Sequence, residues 1–150
     1  KNQICRCTPA QIHNYVSKLS GPLMDRIDLQ IEVDNISYDE LRTKQTGESS
    51  AEIKKRINRV RALQRERFVN DGISTNAEMG SKELAKYCQI DENCERLLKK
   101  AFEKLNLSAR GTTRILKVAR TIADIEGCEN ILPAHIAEAI QYRGLDRKYS

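Results

Sequence analysis

Ser108-Ala109-Arg110-Gly111-Thr112-Thr113-Arg114-Ile115-Leu116-Lys117-Val118-Ala119-Arg120-Thr121-Ile122-Ala123-Asp124-Ile125-Glu126-Gly127 reads as one helix, and the rest of the chain is arranged around it. Ser108 stands where an N-cap belongs, because its hydroxyl can take up a free backbone N–H of the first turn. Ile115, Val118, Ile122 and Ile125 recur at helical spacing, and Ala119 and Ala123 widen the same face, so this side is built to pack on neighbours. Gly127 is placed to end the helix, being free to enter the left-handed region. Arg110, Arg114 and Lys117 form an i, i+4, i+7 row from the first turn, and Arg120 stands further along. Cations are disfavoured at a helix N-terminus unless an anion visits. Free N–H groups and an arginine fork both suit phosphate. The same row equally describes a solvated basic face on a core helix.

Outward from this helix, others follow by the same rules. Ser49 with Glu52 three residues on makes a capping box for a helix running to about Asn70. Its apolar side is Ile53, Ile57, Val60, Leu63 and Phe68. Its other faces are strongly basic, and Lys54, Lys55 and Arg59 are candidate nucleic-acid contacts; cationic helix faces are also commonly just solvated. Ser81 caps a short helix with Leu84, Ala85 and Cys88, and Asp91 caps another with Cys94, Leu97, Leu98, Ala101, Phe102 and Leu105 at helical spacing. Cys88 and Cys94 there read as small core residues. Pro133 at the first helical position opens the last helix, with Ile136, Ala137 and Ile140. His135 lies in its first turn and, with no Cys or second His nearby, reads as no metal ligand.

Toward the N-terminus the pattern changes. Cys5 and Cys7 are at most half of a tetrahedral zinc site, and serve as well as two ordinary thiols. Thr8 and Pro9 start a helix with Ile12, Tyr15, Val16 and Leu19 on one side, which Gly21-Pro22 breaks. From Ile27 the chain alternates, with Ile27, Leu29, Ile31 and Val33 against Asp28, Gln30 and Glu32, the pattern of a half-buried strand. A strand needs neighbours for its backbone groups, and no second one follows. The expectation is a mainly α chain: a unit of about five helices over 46–150, preceded over 1–45 by a short helix and one orphan strand whose sheet lies upstream. Residues 1–45 are then expected to be poorly ordered in this chain.

Composition narrows the class. The chain has 150 residues, 39% hydrophobic and 31% charged, which suits small amphipathic helices better than a thick α/β core. A net charge of +5 favours an anionic partner but is modest for a dedicated DNA binder, and 5% aromatic residues leave few platforms for base stacking. Five scattered cysteines make no disulfide framework, so a reducing, cytoplasmic setting is expected. Lys1 stands where Met would begin a chain, and no signal peptide or long apolar run follows, so a piece of a longer protein with no membrane partner is expected.

Ser20-Gly21-Pro22-Leu23-Met24-Asp25-Arg26-Ile27-Asp28, then Ser108-Ala109-Arg110-Gly111 and Arg120-Thr121-Ile122-Ala123-Asp124, together resemble one family. They are similar to the carboxy-terminal part of the magnesium-chelatase-like AAA+ ATPases of the ComM/YifB type, as is the ending from His135 to Arg143. The resemblance implies that 1–45 is the end of an AAA+ ATPase core and 46–150 its helical lid. It implies that Arg26 is an arginine finger reaching the γ-phosphate of a neighbouring identical subunit in a hexameric ring. It implies that Arg110 is the sensor 2 residue of the lid; Arg114, on the same helix face, is the secondary candidate. Guanidinium chemistry agrees, being permanently charged and fork-shaped. ATP and Mg²⁺ are implied for the full-length protein, and zinc only with cysteines upstream of Cys5 and Cys7. The work implied is DNA remodelling or branch migration; metal insertion by a chelatase motor and a free-standing helical nucleic-acid module are the alternatives. No G-x-x-x-x-G-K-[ST] run occurs among the seven glycines, and no hydrophobic strand ends in paired acids, so the chain alone is expected neither to hydrolyse ATP nor to hold a cofactor tightly.

Overall fold

The computed structural model describes residues 6–18, 21–33, 36–38, 42 and 47–143. Helix α1 (Pro9–Val16) starts on a full capping box: the Thr8 hydroxyl accepts from the Gln11 N–H at 3.3 Å, and the Gln11 side chain accepts from the Thr8 N–H at 2.8 Å. A single turn, α2 (Gly21–Met24), follows. Helix α3 (Ser50–Arg67) begins with Ser49 and Glu52 capping each other's backbone N–H groups. After a 3₁₀ turn (Asn76–Glu78), α4 (Ser81–Tyr87) starts on Gly80, one residue before the expected Ser81, with the Glu83 carboxylate accepting the Gly80 N–H at 2.8 Å. Helix α5 (Glu92–Leu105) is capped by Asp91 and ends at Asn106, the left-handed residue that replaces a glycine. Helix α6 (Ala109–Glu126) is capped by Ser108, whose hydroxyl accepts from the Gly111 N–H at 3.0 Å, and stops at Gly127 with φ of 77°. Helix α7 (Pro133–Gln141) closes the unit.

Helix α6 is the hub: it touches α3, the 3₁₀ turn, α4 and α7, while α5 packs on α7. Its buried residues are Gly111, Ile115, Ala119, Ile122 and Ala123, with the polar Arg120 and Asp124, so the alanines are more deeply placed than Val118, half-buried, or Ile125, exposed. Small residues at the hub let neighbouring helices approach closely, and larger ones fill the rest of the core: Phe68, Met79, Leu98, Leu105, Ile131 and Ile136. Phe68 meets Tyr87 edge to face at 5.2 Å between ring centres. Cys88 and Cys94 are core residues, and burial first of all pushes each thiol up to about 11. Helix α3 departs from expectation, since Ile53, Ile57 and Leu63 stay exposed; only Val60, Gln64 and the following Phe68 are buried.

The orphan strand at residues 27–33 is not there. No β-strand occurs among the described residues, and this segment runs without a ladder. Its parity is also the reverse of the alternation: Gln30 is 7% exposed, whereas Ile31 and Val33 are 65% and 85% exposed. One backbone bond, from the Gln30 N–H to the Tyr142 carbonyl at 2.8 Å, fastens the segment to the end of α7. Alternation favours a strand only where a sheet covers one face; here a helix end takes the backbone bond and buries the polar side chain instead.

Candidate functional site

Arg110, Arg114 and Lys117, three and four residues apart on α6, line one groove of about 530 Å³. Thr113, Thr121 and Ile122 come with them from the same helix, Asp28 and Leu29 from the N-terminal segment, and Tyr142 from the end of α7. The three cations are in different states. Arg110 is exposed, and among the described residues its guanidinium has no partner. Arg114 is ion-paired with Asp28, and its Nε is buried without an acceptor. Lys117 donates from Nζ to the Ala77 carbonyl at 2.9 Å; burial, then the neighbouring Arg114 charge, pull its ammonium below the ordinary lysine value. The hydroxyls of Thr113 and Thr121 are turned back to the α6 carbonyls of Arg110 and Lys117 at 2.9 and 2.8 Å. The groove therefore offers one uncommitted guanidinium, one shared with a carboxylate, and one lysine, a set suited to an extended polyanion.

The turn after α2 lies beside this groove. Arg143, 1% exposed and just past α7, donates from Nη1 to the Ile27 carbonyl at 2.8 Å and the Met24 carbonyl at 3.4 Å. Its Nη2 reaches Asp25 Oδ1 at 3.5 Å. Asp25 also comes close to α6: a Cβ at Gly111 would stand 3.7 Å from its Oδ1. Three residues on, Asp28 holds Arg114. The two acids that flank Arg26 are thus tied to the helical unit, while Arg26 itself is exposed and has no side-chain partner among the described residues.

Residues 47–143 match the family described as "Magnesium chelatase, subunit ChlI C-terminal". The chain belongs to this family. Residues 1–41 match the companion family "Magnesium chelatase, subunit ChlI". The chain is 42% identical over 143 residues to "Competence protein ComM" of Haemophilus influenzae, an alignment covering 95% of this chain and 27% of that protein. It is 41% identical over 143 residues to "Uncharacterized protein YifB" of Salmonella typhimurium, covering 95% of this chain and 28% of that one. An uncharacterized Mycobacterium tuberculosis protein is 30% identical over 141 residues, covering 94% and 28%. The chain thus spans little more than a quarter of the curated relatives it matches. Its helices are the C-terminal helical domain of a magnesium-chelatase-like, ComM/YifB-like AAA+ protein.

Within this magnesium-chelatase domain, the other residues singled out by sequence lie away from the groove. Lys54 and Lys55 are exposed on the first half of α3. Arg59 donates to the Ile125 carbonyl at 2.8 Å, placing a cation at the C-terminal end of α6, where the helix dipole favours one. Cys7 is exposed, and Cys5 lies outside the described residues. Among the described residues no helix is long and apolar enough to cross a membrane.

Two features escaped the sequence reading. Arg120 is 4% exposed and is no part of the basic row: its Nε donates to Asp124 at 3.0 Å, and its other nitrogens hold the Glu129 and Cys128 carbonyls, each at 2.6 Å. Asp124 also accepts from Arg67, from Asn76 at 2.8 Å and from Gln64 at 3.3 Å, so one buried carboxylate knots α3, the 3₁₀ turn and α6. The i, i+4 spacing of Arg120 and Asp124 was the available signal. The second is a cluster in which Glu126, Cys128 and His135 bring ligand atoms within 4.8 Å of one another, so a Cys does stand near His135. His135 Nδ1 accepts the Leu132 N–H at 2.9 Å, which puts the ring proton on Nε2, facing Glu126 at 2.9 Å. A metal on Nε2 would require that proton on Nδ1, against the Leu132 N–H. The donor set fits the start of a hydrogen-bonded helix rather than a metal.

Proposed function

We propose that this chain supplies the lid and the finger turn of a magnesium-chelatase-like AAA+ ATPase that works as a ring of identical subunits, six by the resemblance. Residues 1–45 would close the ATPase core and 46–150 form the lid. Arg110 acts as sensor 2 toward the nucleotide of its own subunit, with Arg114 behind it, and Arg26 reaches the γ-phosphate bound by a neighbour. The observation that carries this reading is the contrast within one turn: Asp25 and Asp28 are held by Arg143 and Arg114, and Arg26 between them is exposed and has no side-chain partner among the described residues. A free arginine on an anchored turn is what stabilisation of charge on a transferring phosphoryl group requires. ATP and Mg²⁺ belong to the assembled protein, and zinc would need cysteines beyond Cys5 and Cys7.

DNA is the substrate this reading assigns to the assembled motor, supported by Lys54 and Lys55 standing open on α3. Metal insertion, as the chelatase name of the family suggests, is the second reading. What weighs against the free-standing nucleic-acid module is the paired match over 1–41 and 47–143.

The test is made in the full-length protein. Arg26→Ala is expected to lower kcat by about 10³-fold or more while nucleotide affinity stays unchanged, since the finger acts on charge that develops in the transition state. Mixing Arg26→Ala subunits with subunits whose phosphate-binding loop is disabled should restore part of the activity at interfaces that combine an intact loop with an intact finger. If mixed rings form and none recovers activity, Arg26 does not act across the interface.

A further inference from the structure

Arg114 faces two claims at once. It lines the cationic groove between Arg110 and Lys117, and it is also the partner of Asp28 on the finger turn. The Asp28 side chain is 53% exposed, so the pair is open to an incoming anion, whereas in the clasp on the same turn Arg143 is buried and Asp25 is 29% exposed. The turn thus has one fixed anchor and one that a groove ligand can dispute.

We propose that Asp28 is a positioning residue for Arg26, and that a polyphosphate entering the groove competes with Asp28 for Arg114, loosening the finger turn on that side. The proposal rests on the reading of Arg26 and Arg110 given above and adds a link between them. A carboxylate and a phosphate oxygen seek the same N–H edge of a guanidinium, so occupancy by one weakens the hold of the other. Arg143 keeps the Met24 and Ile27 carbonyls through the exchange, which leaves Arg26 tethered rather than released. Gln30, two residues beyond Asp28, reports the state of the segment because its N–H is bonded to the Tyr142 carbonyl at 2.8 Å. Linkage makes the effect reciprocal: if phosphate weakens the Asp28 anchor, removing Asp28 must tighten phosphate binding by the same factor.

The experiment titrates the 150-residue chain with tripolyphosphate at constant ionic strength. Amide shifts at Gly111 and Arg114 report binding, and hydrogen exchange at Gln30 reports docking. In the unaltered chain, saturation should speed Gln30 exchange by about fivefold, a typical size for coupling between sites. Asp28→Asn should show that fast exchange without ligand, no further response, and tripolyphosphate affinity about fivefold higher by the same linkage. Asp28→Glu should restore the ligand response, and exchange at the buried Ala119 amide should stay constant throughout, which excludes general unfolding. Equal affinities for both chains with unmoved Gln30 exchange would overturn the competition and leave the sensor assignment standing. No shift at Gly111 or Arg114 in any variant would instead remove the groove as an anion site, and both readings of it would fall.

Discussion

Arg110 and Arg114 are one helical turn apart on the same face of α6, yet their surroundings differ in a way that ranks them. The Arg110 guanidinium is exposed and, among the described residues, uncommitted, in the first turn, where backbone N–H groups add to its attraction for phosphate. Part of the charge of Arg114 is already answered by Asp28. In the full-length protein, Arg110→Ala is therefore expected to reduce ATP turnover by about tenfold or more, the loss of a charge-assisted contact of some 1.5–3 kcal/mol. Arg114→Ala should cost clearly less. Turnover of the two variants, compared with circular dichroism as the folding control, decides the order; a larger loss at Arg114 reverses the assignment. Sequence alone offered two arginines on one face and a family motif to choose between them. What it hid was Asp28, eighty-six positions away, because nothing local to either residue announces an ion pair across that distance.

At the scale of elements, the helices were legible because their signals are local. Thr8 with Pro9, Ser49 with Glu52, Asp91, Ser108 and Gly127 each act within three or four residues, and each is found starting, capping or ending a helix. The segment at 27–33 misled because alternation describes a side chain's address only relative to a sheet, and the element that meets this segment is the end of α7. The Asp124 knot was hidden for a related reason: Arg67, Asn76 and Arg120 look like surface residues until three elements fold around one carboxylate. Burial raises the Asp124 pKa, but hydrogen bonds from Arg67 and Asn76, with the Arg67 and Arg120 charges, outweigh it and hold the carboxyl below its ordinary value. A depressed carboxyl contributes stability above its unfolded pKa of about 3.9 and loses it as pH falls through the folded value. Asp124→Asn is expected to destabilise the helical unit by about 3–5 kcal/mol at neutral pH, because two guanidiniums are left without their counter-charge. Its urea midpoint should also lose much of the dependence on pH below about 4 that the unaltered chain shows. An unchanged midpoint at pH 7 would mean that water, and not Asp124, satisfies Arg67 and Arg120.

For the whole molecule, the question is how much of a nucleotide site 150 residues can hold. The groove on α6 presents side-chain cations, one of them shared with Asp28 and another bonded to a carbonyl. A triphosphate site of the AAA+ kind draws most of its hold from consecutive backbone N–H groups of a glycine-rich loop and from Mg²⁺ held beside it. The sequence contains no G-x-x-x-x-G-K-[ST] run to make that loop. Side-chain cations on an open groove attract phosphate through water and salt, so the groove by itself should bind ATP only in the millimolar range, about 4 kcal/mol. Phosphate release from ATP by the isolated chain is accordingly expected to stay at the buffer rate, even with Mg²⁺ present. Calorimetry with ATP should show no micromolar event, and whatever weak binding appears should diminish in Arg110→Ala and fade as salt is raised. Micromolar affinity that survives Arg110→Ala would place the nucleotide elsewhere on the molecule and break the link between the α6 row and the lid's function.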